Sequence, residues 1–313
     1  MIQYVLRRIL LTPITLFAVF TIVFLIMRVA PGDPAVVILG SYASEGALQA
    51  VRKTMGLDRP LYVQYAESLW GLLRGDLGRS MITHASVSHQ IMNALPYTLD
   101  LMAGGTFLSL LFGIPSGILT ALKRNQFWDY FGRTASLAGL STPSFLLGIL
   151  GLWVFSIQIP LFPTLGGGEI GNLSSRLHHL LLPSLTLGLI QAAFISRMTR
   201  SSLLNTLQED YVRTAKAKGL NRRGVIFRHA FRNCLIPLVT LVGLYMGILI
   251  ADSVLVEVVF NRPGLGKMMV GAVKNRDYIM VQSIMTIYAI MVVLINLMTD
   301  LTYGFVDPRV KFR

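Results

Sequence analysis

Cysteine is almost absent from this chain. One residue, Cys234, stands alone, so no intrachain disulfide can form, and it reads most simply as a small apolar filler at the start of a span. Acidic charge is scarce as well, with 15 Asp and Glu against 28 Lys and Arg and a net charge of +13. Charge of any sign is thin: 14% of residues, against about 25% in soluble domains. With 53% hydrophobic residues and a mean hydropathy of +0.61, a soluble fold is excluded and an all-α integral membrane protein is expected. In a soluble protein the basic excess would suggest nucleic acid. Here it reports the positive-inside bias and contact with anionic membrane lipid, and no nucleic-acid partner is expected.

The usual catalytic signatures are missing too. There is no G-x-x-x-x-G-K-[ST] phosphate loop, no H-E-x-x-H and no G-x-S-x-G. The chain is therefore expected to have no catalytic, cofactor or metal site of its own. His178 and His179 are adjacent, but successive helical residues point about 100° apart and no ligand set accompanies them. His84 and His89 lie in a loop that fixes no geometry.

Long apolar runs dominate what is present. Six approach the ~20 residues that cross a bilayer: Ile9–Val29, Thr98–Leu122, Thr134–Ile157, Leu180–Ile195 with its flanks, Leu235–Val256 and Ile279–Tyr303. The fourth is interrupted by Pro183, Gln191 and Ser196. Arg7-Arg8 precede the first run, which ends in Arg28 and Pro31 instead of a small-residue cleavage site, so it is expected to be retained. Seventeen of the 28 Lys and Arg lie in segments that share a side with the N-terminus and ten lie opposite, with Arg28 at a boundary. The bias puts both termini inside, in the cytoplasm.

Three connections carry the information. The first, 31–96, is a long insertion on the outer side. It holds turns at Pro31-Gly32-Asp33-Pro34, at 56–60 and at 75–80, helices at Glu45–Met55 and Leu61–Leu73, and the aromatics Tyr62, Tyr65 and Trp70, which form either a packed cap or a partner surface. The glycine- and proline-rich second and third spans (Gly104, Gly105, Gly113, Pro115, Gly117, Gly139, Pro143, Gly148) can pack closely or line a moving path.

The second connection, 197–234, is cytoplasmic and carries its own helix signals. Glu209 and Asp210 favour a helix start, Lys216 and Lys218 a helix end, and Gly219 is placed to cap it. Tyr211, Ala215 and Gly219 share a face at four-residue spacing. Ala215, Ala217 and Gly219 are small enough to admit a neighbouring backbone. After a turn at Asn221–Gly224, a second basic helix is expected over Val225–Arg232. The pair would meet either a partner or anionic lipid.

The third connection, 257–278, holds Glu257, Phe260, Pro263, Gly264, Leu265 and Gly266, a sequence that forces a re-entrant turn. It is either an outer gate or a structural plug of the bundle. Asp252, inside the fifth run about one turn from its outer end, is costly there and faces protein or water. It contacts a cationic substrate group or is structural. Asn296 and Asp300 are read as bonding between helices.

Together these motifs resemble the permeases of ABC importers. PGDP, GLDRPLYVQY and GDLGRSM, at 31–34, 56–65 and 75–81, are similar to the extracytoplasmic region of the B-type permease in the dipeptide/oligopeptide/nickel branch. Glu257, Phe260 and Pro263-Gly264-Leu265-Gly266 resemble its E-x-x-F-x-x-P-G-L-G segment. Arg276-Asp277-Tyr278, Asn296 with Asp300, and Asp307-Pro308-Arg309 resemble its last span and tail. The 197–234 loop resembles the family's coupling loop with departures. Where the common importer pattern is E-A-A-x-x-x-G, Arg213 takes the Glu position and Thr214 the first Ala, while Ala215 and Gly219 match.

The resemblance, spread over the whole of 1–313, implies one permease domain of the type I importer fold with six transmembrane helices, in a bacterial inner membrane. It implies a second, homologous permease, two ATPase subunits that bind ATP and Mg, and an extracytoplasmic substrate-binding protein. Glu209, Asp210, Tyr211, Arg213, Thr214, Ala215 and Gly219 would couple to the ATPases. The substrates would be di- or oligopeptides, with nickel chelate, glutathione or opine as alternatives. An ion-coupled secondary transporter would instead show two repeated halves and mid-membrane acids, and an intramembrane enzyme would need paired catalytic groups at depth. Neither is evident.

Overall fold

A backbone in hydrocarbon must bond within its own segment, so helices take nearly the whole chain. The computed structural model describes residues 2–29, 33–39, 42–54, 56–169 and 171–306. Among them the only strand-like pairing is an isolated bridge between Arg79 and Ser86. Pro31-Gly32 and the tail from Asp307 lie outside the described residues.

Helix α1 is Ile2–Val29, followed by the short α2 (Pro34–Leu39), α3 (Glu45–Thr54) and α4 (Leu61–Leu73). Asp33 caps α2 through the Ala35 amide (2.9 Å) and pairs with Arg52 of α3 at 2.5 Å. The Arg52 hydrogen bond holds the Asp33 carboxyl below the usual carboxylate range. Tyr65 of α4 inserts among Phe17, Phe20 and Phe24 of α1, and its hydroxyl lies 2.7 Å from Thr21 Oγ1. Of the three aromatics singled out, Tyr65 is thus packing, while Tyr62 and Trp70 stay exposed.

Two long helices form the centre, α5 (Val87–Leu122) and α8 (Leu173–Thr206). Their backbones touch because glycine removes the spacer. A Cβ at Gly113 would lie 2.8 Å from that of Ile195, one at Gly117 2.6 Å from the Ser196 carbonyl oxygen, and one at Gly188 2.9 Å from the Gly105 carbonyl oxygen. Helix α8 extends well beyond the expected Leu180–Ile195 and is the most buried of the spans. Pro183, Gln191 and Ser196 do not interrupt it: Ser184, Thr186, Gln191, Ser196 and Thr199 all face protein instead of lipid, although the Gln191 amide has no hydrogen-bond partner among the described residues.

The expected single span Thr134–Ile157 is instead two helices, α6 (Phe127–Ser141) and α7 (Ser144–Leu152), with a π-helical continuation over Trp153–Gln158. They bend by 101° at the break. The physical reason is Pro143, which disfavours a helical Thr142. Contacts along α8 show that the pair crosses instead of doubling back. Asp129 meets Arg200, Gly139 faces Ala193, Gly148 faces Thr186 and Gly151 faces Leu182. The stretch of α8 from Arg200 back to Leu182 spans about 27 Å at helical rise, close to a hydrocarbon thickness.

After α9 (Asp210–Ala217), a π-helical turn at Gly224–Ala230 runs directly into α10 (Phe231–Val259). The expected separate helix at Val225–Arg232 is therefore the first part of a continuous Gly224–Val259 span. Helices α11 (Leu265–Lys274) and α12 (Tyr278–Val306) complete the chain, giving six crossings with α6–α7 as one. Asp277 caps α12 through the Met280 amide (3.2 Å) and also receives the Ser80 hydroxyl and the Met81 amide, which docks the 75–81 turn.

Gly113→Leu should lower stability by roughly 1–3 kcal/mol through overpacking, read as a lower thermal midpoint of the detergent-solubilised protein. A wild-type midpoint would show that α5 and α8 need no close approach there.

Candidate functional site

Two regions at opposite ends of the bundle hold the residues singled out by sequence. At one end, α9 projects from the chain as a short amphipathic helix. It begins after Glu209, whose side chain makes no capping bond, with Asp210 in the first turn, and ends before Gly219 at φ +80. This positive φ suits glycine, and open space surrounds the residue. Val212 and Ala215 are buried against the chain itself, and the Asn233 amide donates to the Tyr211 hydroxyl at 2.5 Å, which ties α9 to the base of α10. The shared face of Tyr211, Ala215 and Gly219 is therefore not an open one. Ala215 turns inward because it sits one helical turn from Val212 on the packed stripe, and the small residues left accessible are Ala217 and Gly219. Asp210, Arg213 and Thr214 form the exposed polar face, with Arg213 3.5 Å from Asp210.

Nearby, Arg200 grips Asp129 with a bidentate fork, Nε to Oδ1 at 2.7 Å and Nη2 to Oδ2 at 2.9 Å, and the Asn125 amide adds a third bond at 2.9 Å. Asp129 is wholly buried. This pair fixes α6 to α8.

At the other end, Glu257 is sealed inside the bundle. Its carboxylate accepts the Thr98 hydroxyl (2.6 Å) and the amides of Gly266 (2.7 Å) and Lys267 (3.2 Å). It thus caps the positive end of α11. Thr98 in turn receives the Leu265 amide at 2.9 Å. The glycines at 264 and 266 are required by this approach, since a Cβ at Gly264 would strike the Glu257 carboxylate and one at Gly266 would lie 2.5 Å from the Val254 Cα. Phe260 packs with Leu101, Leu182, Leu187 and Val256, and Leu265 with Val87, Ile91 and Ile284. Met268 and Met269 join the latter cluster. Of the singled-out residues here only Pro263 is exposed. The turn folds back onto Glu257, and the buried Leu265 and Gly266 plug this end of the bundle.

Arg262 completes the plug. It is fully buried, with Nε donating to the Tyr97 carbonyl (3.2 Å), Nη2 3.9 Å from Asp100 and the guanidinium 5.3 Å from the Tyr97 ring centre. Burial pushes its guanidinium below the ordinary range, against the pull of Asp100 and Glu257. Asp100 also takes Arg176 at 2.6 Å. Tyr97, Thr98, Asp100 and Arg262 were not singled out by sequence. An acid inside an apolar run, as Asp100 is, was the available signal.

Asp252 lies on α10 between the two ends. It is half-buried and shares an exposed stripe with Leu244, Ile248 and Leu255, and no described residue pairs with it.

Broken and continuous spans with a short helix projecting from one end make a polytopic membrane bundle, and comparison with known proteins supplies its class. The family "Binding-protein-dependent transport system inner membrane component" matches residues 113–312, and its N-terminal companion matches 1–102. The chain belongs to this family: it is a multi-pass permease subunit of an ABC importer. It is 39% identical over 313 residues, covering both chains completely, to the glutathione transport system permease protein GsiC of Escherichia coli O6:H1. The same protein of Salmonella typhimurium (strain LT2) is also 39% identical over its full length. Two crystal forms of the MetNI methionine ABC transporter in inward-facing conformations share the fold, with TM-scores of 0.59 and 0.56 at 17% and 19% identity. They cover 70% and 69% of this chain and 96% of each matched chain.

Glu257→Gln can keep an oxygen on the Gly266 and Lys267 amides only by turning its NH2 toward the Thr98 hydroxyl, so it replaces charge-assisted bonds with neutral ones and displaces the Thr98 donor, at a cost of roughly 2–3 kcal/mol. The readout is protease sensitivity of the 258–267 turn in the solubilised protein, expected to rise. Unchanged sensitivity would remove the carboxylate from its anchoring role.

Proposed function

We propose that this chain forms half of the pathway by which an ATP-driven importer takes up short peptide-like molecules, with glutathione the foremost candidate. The full-length similarity to glutathione permeases carries this reading. A second, homologous permease supplies the other half, two ATPase subunits bind ATP and Mg, and a substrate-binding protein delivers the cargo. The chain itself performs no catalysis. Both termini and α9 lie in the cytoplasm, in keeping with the Lys and Arg distribution, and the 31–96 and 257–278 segments lie outside.

The coupling surface is the exposed face of α9: Glu209, Asp210, Arg213, Thr214 and Gly219, with Tyr211 and Ala215 seating it on the chain. ATP can drive transport only if the ATPases bind this face with different free energies in their open and closed states. Displacement of α9 then reaches α10 through Asn233. That helix has 29 residues, about 43 Å at helical rise, and its far end is Glu257. The plug of Glu257, Phe260, Pro263, Gly264, Leu265 and Gly266 acts as the outer gate, closed in this state. Asp252 faces the water-filled path between the two permeases and pairs with the ammonium of the cargo, since an ion with no protein partner is excluded from a lipid-facing stripe.

Gly219→Val forces a branched side chain toward positive φ, a cost of about 1–2 kcal/mol confined to the α9 turn. Purification of the tagged chain should still recover ATPase subunits and a second permease, while glutathione uptake into reconstituted vesicles is lost. Normal uptake would refute the coupling assignment, and recovery of the chain alone from wild-type membranes would refute the assembly.

Asp252→Asn should reduce the preference for free-amine over N-acetylated cargo by roughly tenfold, as expected for one charge-assisted bond. An unchanged ratio would leave Asp252 outside the path.

A further inference from the structure

Between α1, α4, the 75–81 turn and α12 lies a cavity of about 290 Å³ that the transport assignment does not use. On α1 its wall runs from Arg28 down to Phe20, and on α12 from Tyr278 down to Thr286. Each stretch covers about 12 Å at helical rise. The cavity is thus a cleft along the membrane normal, opening beside the last turn of a span whose end is Val29. Headgroups begin at that depth.

The charges in the wall are unequally satisfied. Glu67 pairs with Arg59, and Asp76 accepts the Gly78 amide at 2.9 Å. Arg28 differs. Its Nε donates to Gln64 Oε1 at 3.0 Å, and its guanidinium stands 4.8 Å from the Phe24 ring centre. Gln64 is buried, and its amide nitrogen is committed to the carbonyls of Leu57 (3.3 Å) and Arg59 (2.8 Å). The amide orientation is therefore fixed, and with it the guanidinium. Both terminal nitrogens of Arg28 lack an acceptor among the described residues. A held guanidinium with two free terminal nitrogens is a bidentate receptor for a tetrahedral or planar anion. One turn deeper, Gln282 lines the same cleft, and no described residue bonds its side-chain amide.

We propose that this cleft binds one phospholipid, with the headgroup phosphate on Arg28 and the glycerol ester carbonyls within reach of Gln282. Depth selects a lipid as the source of the phosphate: the anion present beside the last turn of a span is the headgroup layer. The lipid fills the seam between α1 and α12 and braces the 31–96 segment on the bundle through the residues that hold Arg28. The proposal is independent of the cargo.

The test is native mass spectrometry of the purified complex with added phosphatidylglycerol, comparing the wild type, Arg28→Gln, Ser68→Phe and Arg74→Gln. Ser68 lines the cleft and its replacement fills it, whereas Arg74 is exposed outside it. Arg28→Gln should weaken the tightest bound lipid by roughly tenfold, the scale of a lost charge-assisted pair. Ser68→Phe should do the same, and Arg74→Gln should leave retention unchanged. Equal retention in the wild type and Arg28→Gln overturns the proposal. So does equal retention of diacylglycerol, which lacks the phosphate. Displacement of the lipid by millimolar inorganic phosphate, with phosphate itself retained through Arg28, would make this a small-anion site and overturn the lipid assignment.

Discussion

A carboxylate sealed away from water must be matched where it sits, and the Glu257 carboxylate is matched by two other chain segments at once. It takes a hydroxyl from α5 and two amides from the start of α11, while belonging to α10. Removing any donor would leave a buried charge short of a bond, at a cost of several kcal/mol. The packing of Phe260 and Leu265 follows from this junction, because the turn can only close over a side chain whose charge is already satisfied. Arg262 obeys the same rule less completely, with one backbone acceptor and a distant Asp100.

The other end is built differently. No sealed charge lies on α9, and its exposed face is polar, with Asp210 and Arg213 in solvent. Two buried residues and one side-chain bond hold it. A lightly held element at one end and a tightly keyed one at the other, joined by the continuous α10, fit the proposed route from the coupling face to the gate. The π-helical turn at Gly224–Ala230 lies at the entry to that shaft.

Much of this was legible along the sequence because it is local. Apolar runs of sufficient length marked the six crossings, Gly219 the end of α9, and Pro263-Gly264-Leu265-Gly266 the turn between α10 and α11. What was not legible depends on partners remote in the chain. The pairs Asp129–Arg200 and Thr98–Glu257 join residues separated by 71 and 159 positions, and no periodicity reports them. Pro183, Gln191 and Ser196 read as interruptions of the fourth span because hydropathy scores a residue without knowing what it faces. Ala215 read as accessible for the same reason. Pro143 was visible, but whether a proline kinks a span or breaks it depends on how the neighbouring helices take up the freed groups.

The cross-links within the bundle also decide whether the chain is modular. The two family segments, 1–102 and 113–312, are separated by a stretch that falls in mid-helix α5. They are regions of similarity, not units of folding. Ser80 and Thr98 lie in the first, while their acceptors Asp277 and Glu257 lie in the second. A chimera that exchanged the first segment with that of a relative would inherit its hydroxyls from one parent and its carboxylates from the other. Such exchanges are viable only between parents that agree at both pairs, so recombination in this fold is constrained by four residues that hold the two segments together.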